Sequence, residues 1–333
     1  MKPSSSCNNT FRPNFFARFA KIDRRLRSGS FGIGPLLLLV AACTSQSSIP
    51  PHFDAFERIP IHIATIDDQR IAYLDVGTGP PLFLIHGFGG SMWQWEHQQR
   101  ELARHFRVIT PDLPGFGLSD KPDIEYRPDQ LVGFFTRFMD ALHIPRATLI
   151  GNSMGAGLAM AVALDHPERV DKLVLIGGLP RDIRAKLTSP IVKRTIDTRT
   201  PSWLISLGNR LFGGWMVTSV LEELVYDRSL ITPAVLERSN RNRRLPGIIK
   251  PMLAMKQTLG LWESGYALRL DAIRHPTLII WGEEDRVFPS SVGHELHRLI
   301  EGSQLQTIPF AGHIPQWERP DLVNRLLIAY IHP

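Results

Sequence analysis

The sequence predicts an α/β fold: a mostly parallel sheet with helices on both faces and a helical cap insertion. Three observations carry this. Short apolar, β-favouring runs alternate with helical patterns over most of the chain, the rhythm of parallel strands joined by crossover helices. Several runs, such as Pro81-Leu82-Phe83-Leu84-Ile85, are continuously apolar, as strands buried on both faces are. From Pro180 to about Leu270 the strand rhythm stops and a Pro-broken helical pattern replaces it.

The elements follow in order. Ile59 to Ile66 and Arg70 to Val76 alternate as paired strands, with Asp67-Asp68 as their turn. The apolar run at 81–85 ends at His86-Gly87-Phe88-Gly89-Gly90. Glu96 to His105 reads as a helix and Phe106 to Thr110 as a strand. A loop, Pro111 to Gly117, precedes an amphipathic helix from Asp129 to Leu142. Ala147-Thr148-Leu149-Ile150 is a strand, and Ala156 to Leu164 a small-residue helix. Val170 to Ile176 is another buried strand. The insertion holds Pro190, Pro201, Pro233, Pro246 and Pro251. Strands resume at Thr277 to Trp281 and Ser303 to Ile308, and a helix from about Pro320 to Ile331 closes the chain. The expected division is a leader at 1–42, a tether at 43–58, a core at 59–179 and 271–333, and a cap at 180–270. The cap is placed above the carboxyl edge of the sheet, where open α/β sheets bind ligands.

The first forty residues read as a leader. Lys2, Arg12, Arg18, Lys21, Arg24, Arg25 and Arg27 are basic, Asp23 is the sole acid, and an apolar stretch centred on Leu36 to Val40 follows. Val40-Ala41-Ala42-Cys43 resembles a bacterial lipobox, in which Cys43 is acylated and becomes the first mature residue. The expectation is an exported lipoprotein, held by lipid and facing the periplasm or cell exterior. The alternative is a plain signal peptide and a soluble secreted protein.

The leader also explains the charge. The chain has 38 Lys+Arg against 32 Asp+Glu, but residues 1–42 hold seven bases and one acid, leaving 31 of each from residue 43 on. A formally neutral domain gives no reason to expect a nucleic-acid partner. Cys7 and Cys43 are the only cysteines, so neither remains for a disulfide in a processed chain. No Cys/His cluster has metal-ligand spacing, and neither metal nor cofactor is expected.

The chemistry centres on Gly151-Asn152-Ser153-Met154-Gly155, between a strand and a helix. A sharp strand-to-helix turn leaves no room beside its apex, which suits Gly151 and Gly155. The new helix aims its first N–H groups above Ser153, where negative charge would develop. Five residues alone leave a glycine-rich loop as the alternative. A serine nucleophile needs a base, and the base needs an orienting acid. Asp285, in Trp281-Gly282-Glu283-Glu284-Asp285, leaves a strand end, with Glu283 and Glu284 as competitors. His313, in Ala311-Gly312-His313, follows the next strand, and the order Ser, Asp, His is the one such a sheet uses. The N–H groups of Phe88 and Met154 are the expected oxyanion donors. His86 is expected to orient its loop. Trp93, Phe212 and Trp215 are candidates for the substrate pocket, with ordinary packing as the alternative.

Together these pieces, with Asp112-Leu113-Pro114-Gly115-Phe116-Gly117-Leu118-Ser119-Asp120, resemble the α/β-hydrolase family over residues 60–332. The resemblance implies Ser153 as nucleophile, Asp285 as orienting acid and His313 as base. It implies a structural role for the 112–120 loop, so Asp112, Ser119 and Asp120 are not taken as catalytic. A serine at the apex argues against the haloalkane dehalogenase and epoxide hydrolase branches, which use aspartate there. The loop at 86–90 lacks the His-Gly-Gly-Pro-Gly pattern of proline iminopeptidases. The function expected is hydrolysis of carboxylic or lipid esters through an acyl-enzyme, carboxylesterase or lipase-like. The alternatives are carbon–carbon bond hydrolysis of ring-cleavage products and a non-catalytic binding module of the same fold.

Overall fold

The computed structural model describes residues 59–332. The leader, Cys43 and the tether at 43–58 lie outside the described residues. Eight strands form one sheet in the order β1-β2-β4-β3-β5-β6-β7-β8. β1 (Ile61–Ile66) and β2 (Gln69–Val76) pair antiparallel, and β2 pairs antiparallel with β4 (Arg107–Pro111). All remaining pairings are parallel, through β3 (Pro81–Ile85), β5 (Ala147–Asn152), β6 (Val170–Ile176), β7 (Thr277–Gly282) and β8 (Gln304–Ile308).

The continuous apolar strands carry two cores at once, because successive side chains leave a strand on opposite faces. Leu82 and Leu84 join Val108, Ile150, Val174 and Ile280 on one face. Phe83 and Ile85 join Ile109, Leu149, Leu175 and Ile279 on the other. The second face receives the Pro128–Ala141 and Met154–Asp165 helices, and the first is closed by the Pro320–Ile331 helix.

One element departs from expectation. The helix foreseen over 96–105 is a 3₁₀ turn at Met92–Trp95 and a single α-turn at Gln99–Leu102. Buried glutamines divide the segment by bonding outside it. Gln98 donates to the Gln316 carbonyl at 2.7 Å, and Gln99 donates back to that of Met92 at 3.1 Å.

Between β6 and β7 the chain forms helices and turns only, from Ile183 to Ala272. The longest helix is Ser202–Leu224. Its end meets the core directly: the His313 N–H donates to the Leu224 carbonyl at 2.7 Å. No helix of the described residues is long and apolar enough to cross a membrane.

Candidate active site

Ser153 stands between β5 and the Met154–Asp165 helix with φ +53° and ψ −118°. A non-glycine residue held there stores roughly 1–3 kcal/mol of strain, which surrounding contacts must impose. Those contacts are visible. A Cβ on Gly151 would fall 2.3 Å from the Gly155 carbonyl, and one on Gly155 would fall 2.2 Å from that of Ile85. The helix therefore starts hard against β3 and β5, and only glycines allow it. The Ser153 N–H donates to the Ile176 carbonyl at 2.9 Å, which fixes the apex to β6.

Asp285 and His313 leave the ends of the next two strands and meet. His313 Nδ1 lies 2.8 Å from Asp285 Oδ2, and both side chains are buried. The second carboxylate oxygen accepts the N–H groups of Val287 at 2.8 Å and Phe288 at 3.0 Å. Neither competitor reaches the imidazole. Glu283 accepts from Thr307 Oγ1, and Glu284 accepts from the Ala311 N–H. Asn152 ties this pair to the apex: its Nδ2 donates to the carbonyls of Ile176 and His313, each at 3.0 Å.

His86 is held away from this chemistry. The Leu113 N–H donates to its Nε2 at 3.0 Å, so Nδ1 carries the proton toward the Gly87 carbonyl at 2.8 Å. Burial lowers its pKa to about 4, against the opposing Gly87 bond, so the ring is neutral. Asp112 is also buried, accepting the N–H groups of Met92 at 2.6 Å and Leu118 at 2.7 Å. Burial raises it to about 6 despite those two bonds and nearby Lys121.

Beside Ser153 lies a cavity of about 140 Å³. Phe88 and Met154 line it with Ser153, and Leu158, Leu187, Trp262 and Phe288 form part of its apolar wall. Lys256 is the sole charged side chain among its lining residues.

The three expected pocket residues are elsewhere, which corrects that expectation. Trp93 is packed inside, with the Arg238 guanidinium 4.8 Å above its ring and Trp317 edge-on at 6.5 Å. Phe212 and Trp215 point outward and are 66% and 71% exposed. Aromatic content marked these residues, but it does not say which side of a helix faces the sheet.

Two residues at the site were not foreseen. Gln94 Oε1 accepts the Gly87 N–H at 3.0 Å while its Nε2 donates to Asn152 Oδ1 at 2.6 Å. It thereby joins the Phe88 loop to the Ser153 turn. Glu318 accepts from Gly312 N–H at 2.6 Å and from the N–H groups of Tyr226 and Asp227 at 2.7 and 3.1 Å. It thereby joins the His313 loop to the end of the insertion's long helix. Neither residue has a local sequence signal, because each joins a nearby loop to a remote one: Gln94 meets Asn152 58 residues away, and Glu318 meets Tyr226 and Asp227 92 and 91 residues away.

Known proteins share this arrangement of elements. A model of the alpha/beta hydrolase fold matches residues 80–320. The 2-hydroxy-6-oxo-6-phenylhexa-2,4-dienoate hydrolase of Burkholderia cepacia is 32% identical over 284 residues, covering 82% of this chain and 95% of that protein. A crystal structure of a meta-cleavage product hydrolase from Pseudomonas fluorescens IP01, complexed with acetates, superposes with a TM-score of 0.71 and 31% identity. It covers 82% of this chain and 97% of its own. A bacterial membrane phospholipase A superposes with a TM-score of 0.69 and 26% identity, covering 82% of this chain and 86% of its own.

Proposed function

The chain is a hydrolase belonging to the alpha/beta hydrolase fold family, and on that footing we propose that it cleaves a carbon–carbon bond beside a ketone in a 2-hydroxy-6-oxo-dienoate. One observation carries the choice of bond: the likeness to a hydrolase of such a compound spans 95% of that relative. The ester expected from the sequence becomes the second reading. A 2-hydroxy-6-oxo-dienoate contains no ester or amide, so water must break the bond between C5 and C6.

The proposed roles follow from the residues. Ketonisation moves the proton of the 2-hydroxyl to C5. Ser153 Oγ then attacks C6 while His313 takes its proton, and Asp285 holds the imidazole. The N–H groups of Phe88 and Met154 receive the C6 oxyanion, and the helix starting at Met154 adds its positive end. When the C5–C6 bond breaks, its electron pair flows through the conjugated carbons to the 2-oxygen, which takes the proton from His313. Water then attacks the acyl-serine with His313 again as base, and the products are a carboxylic acid and a 2-hydroxydienoate. The apolar cavity wall suits the hydrocarbon on C6, and Lys256 is the proposed partner of the C1 carboxylate.

Ester hydrolysis would use the same groups, and the likeness to a membrane phospholipase A favours it as the second reading. The test sets 2-hydroxy-6-oxo-6-phenylhexa-2,4-dienoate against p-nitrophenyl esters, with the native chain and Ser153→Ala. Faster turnover of the dienoate, abolished in the variant, is the expected result. Ester turnover with an untouched dienoate would sink the carbon-bond reading and leave the ester one standing. A folded chain that turns over neither would point to a binding module.

The lipoprotein reading of the leader is supported by the sequence pattern alone. Cys43→Ser should abolish incorporation of a labelled fatty acid into the protein, and a native chain that takes up no label, or a variant that takes up as much, would count against acylation.

A further inference from the structure

The Ser202–Leu224 helix has the composition of a buried element and the exposure of a surface one. Trp203, Leu204, Leu207, Leu211, Phe212 and Trp215 are among its side chains, yet of its 23 residues only Gly213 and Leu221 are buried. A helix apolar all round is normally enclosed by protein or lipid. Leu204, Leu207, Leu211 and Trp215 recur at three- and four-residue spacing and so share one face. Trp203, Leu211, Phe212 and Trp215 are each more than 60% exposed. Contiguous apolar surface of this kind marks an interaction site.

The charges around the face select what covers it. From residue 190 to 216 the cations are Lys193, Arg194, Arg199 and Arg210, against the single acid Asp197, which already pairs with Arg184 at 2.6 Å. A groove of about 490 Å³ beside Phe212 and Trp215 is lined by Arg210, Arg243 and Arg244. Its one acid, Glu237, pairs with Arg241. Arg243 is pinned there by bonds to the Asn209 carbonyl at 2.5 Å and Asn240 Oδ1 at 2.8 Å. A second copy docked through the same face would set these arginines against their own equivalents, while the acid of the 190–216 segment and that of the groove, Asp197 and Glu237, are already paired with Arg184 and Arg241. An anionic bilayer surface offers the opposite charge and a boundary at which tryptophan is favoured. The helix does not meet the length and apolarity needed to cross a membrane, so it would lie on one.

We propose that the exposed face of the Ser202–Leu224 helix, with the arginine groove beside it, docks this domain on membranes rich in anionic lipid. The inference rests on neither choice of substrate and does not need the acyl group at Cys43.

The test uses the full chain carrying Cys43→Ser, so that no lipid is attached. It is mixed with vesicles of phosphatidylcholine alone or with phosphatidylglycerol added, and bound protein is read by co-sedimentation. Binding should require phosphatidylglycerol. It should fall by roughly tenfold or more in Arg210→Gln/Arg244→Gln, where two headgroup contacts are removed, and in Leu211→Ser/Phe212→Ser/Trp215→Ser. These side chains are on the surface, so thermal melting should stay at the parent value. Failure to bind, or binding that neither set of substitutions changes, would overturn the proposal. So would a parent protein that sediments as a dimer and becomes a monomer in the Leu211/Phe212/Trp215 variant, since the face would then be a contact between copies.

Discussion

Asp285 Oδ2 lies 2.8 Å from His313 Nδ1, while Asp285 Oδ1 accepts two backbone N–H groups of its own loop. Both carboxylate oxygens are therefore committed as acceptors, and the carboxyl group cannot rotate without losing bonds. Asparagine at 285 offers only one acceptor. It must either present an N–H to the imidazole, forcing the wrong tautomer, or abandon the Val287 and Phe288 donors. Asp285→Asn is expected to lower kcat by about 10⁴-fold, the scale seen when a catalytic histidine loses its orienting acid. Circular dichroism should show the fold retained, and a loss below tenfold would remove Asp285 from the proposed triad.

His86 and Asp112 give stability two opposing dependences on pH. His86 falls from 6.5 to about 4 through burial. Between those values the unfolded chain binds a proton that the folded chain refuses, so this group's contribution is complete above pH 6.5 and is lost as pH falls toward 4. Asp112 rises from 3.8 to about 6 through burial. Over that window the folded chain keeps a proton the unfolded chain gives up, so stability declines as pH rises. Each effect amounts to roughly 3 kcal/mol at 1.36 kcal/mol per pH unit, and they nearly cancel. His86→Gln should therefore make stability fall, relative to the native chain, as pH rises through this window. Asp112→Asn should make it climb. Urea midpoints measured across the window decide the matter, and profiles parallel to the native one in both variants would refute it.

What the sequence reveals and what it hides differ by the range of the interaction. The turn at Ser153 is legible because its cause is local: Gly151 and Gly155 are demanded by contacts at 2.3 and 2.2 Å within one strand–turn–helix unit and its neighbouring strand. Asp285 is legible because it follows a strand whose apolar run, Leu278 to Trp281, is plain in the sequence, and His313 because it follows the next strand, Gln304–Ile308, in a glycine-containing loop. The ties that hold these loops together are not local. Asn152 reaches the His313 carbonyl across 161 residues, and Gln94 reaches Asn152 across 58. A polar side chain with a remote partner looks like any other polar side chain. Phe212 and Trp215 failed as pocket residues for a related reason. On a helix that is apolar on every side, composition cannot say which side is turned to solvent.

Gln94 should matter to turnover more than to binding. Among the described residues it is the one side chain that bonds both the Gly87 N–H and the Asn152 amide, and so it sets the distance between Phe88 and Ser153. Gln94→Leu leaves both partners unsatisfied, at a cost of about 1–3 kcal/mol for each buried group. It also frees the loop by a fraction of an ångström or more. A misplacement near 1 Å can cost on the order of 100-fold, so kcat should drop by about that factor while KM changes little. Gln94→Glu can still accept from Gly87 but cannot donate to Asn152, and it should fall between the two. Equal kcat in all three proteins would show that the bridge does not position the oxyanion donors.

Lys256 separates the two substrate readings within one cavity. Its ammonium donates to the Thr198 carbonyl, and its pKa is lowered by burial and by Arg184, with Asp197 opposing. Such a lysine is held in place and short of counter-charge, the condition in which an incoming carboxylate is best received. A dienoate brings that carboxylate, whereas a neutral ester does not. Lys256→Met keeps the length and apolar body of the side chain and removes the charge. It should raise KM for a 2-hydroxy-6-oxo-dienoate by roughly tenfold or more, since charge-assisted bonds contribute about 1.5–3 kcal/mol. Neutral p-nitrophenyl esters should be turned over as before, because nothing in them meets the lysine. A KM for the dienoate that is indifferent to Lys256 would mean that its carboxylate is bound outside this cavity. Equal rises for both substrates would mean that the lysine shapes the cavity rather than recognising charge.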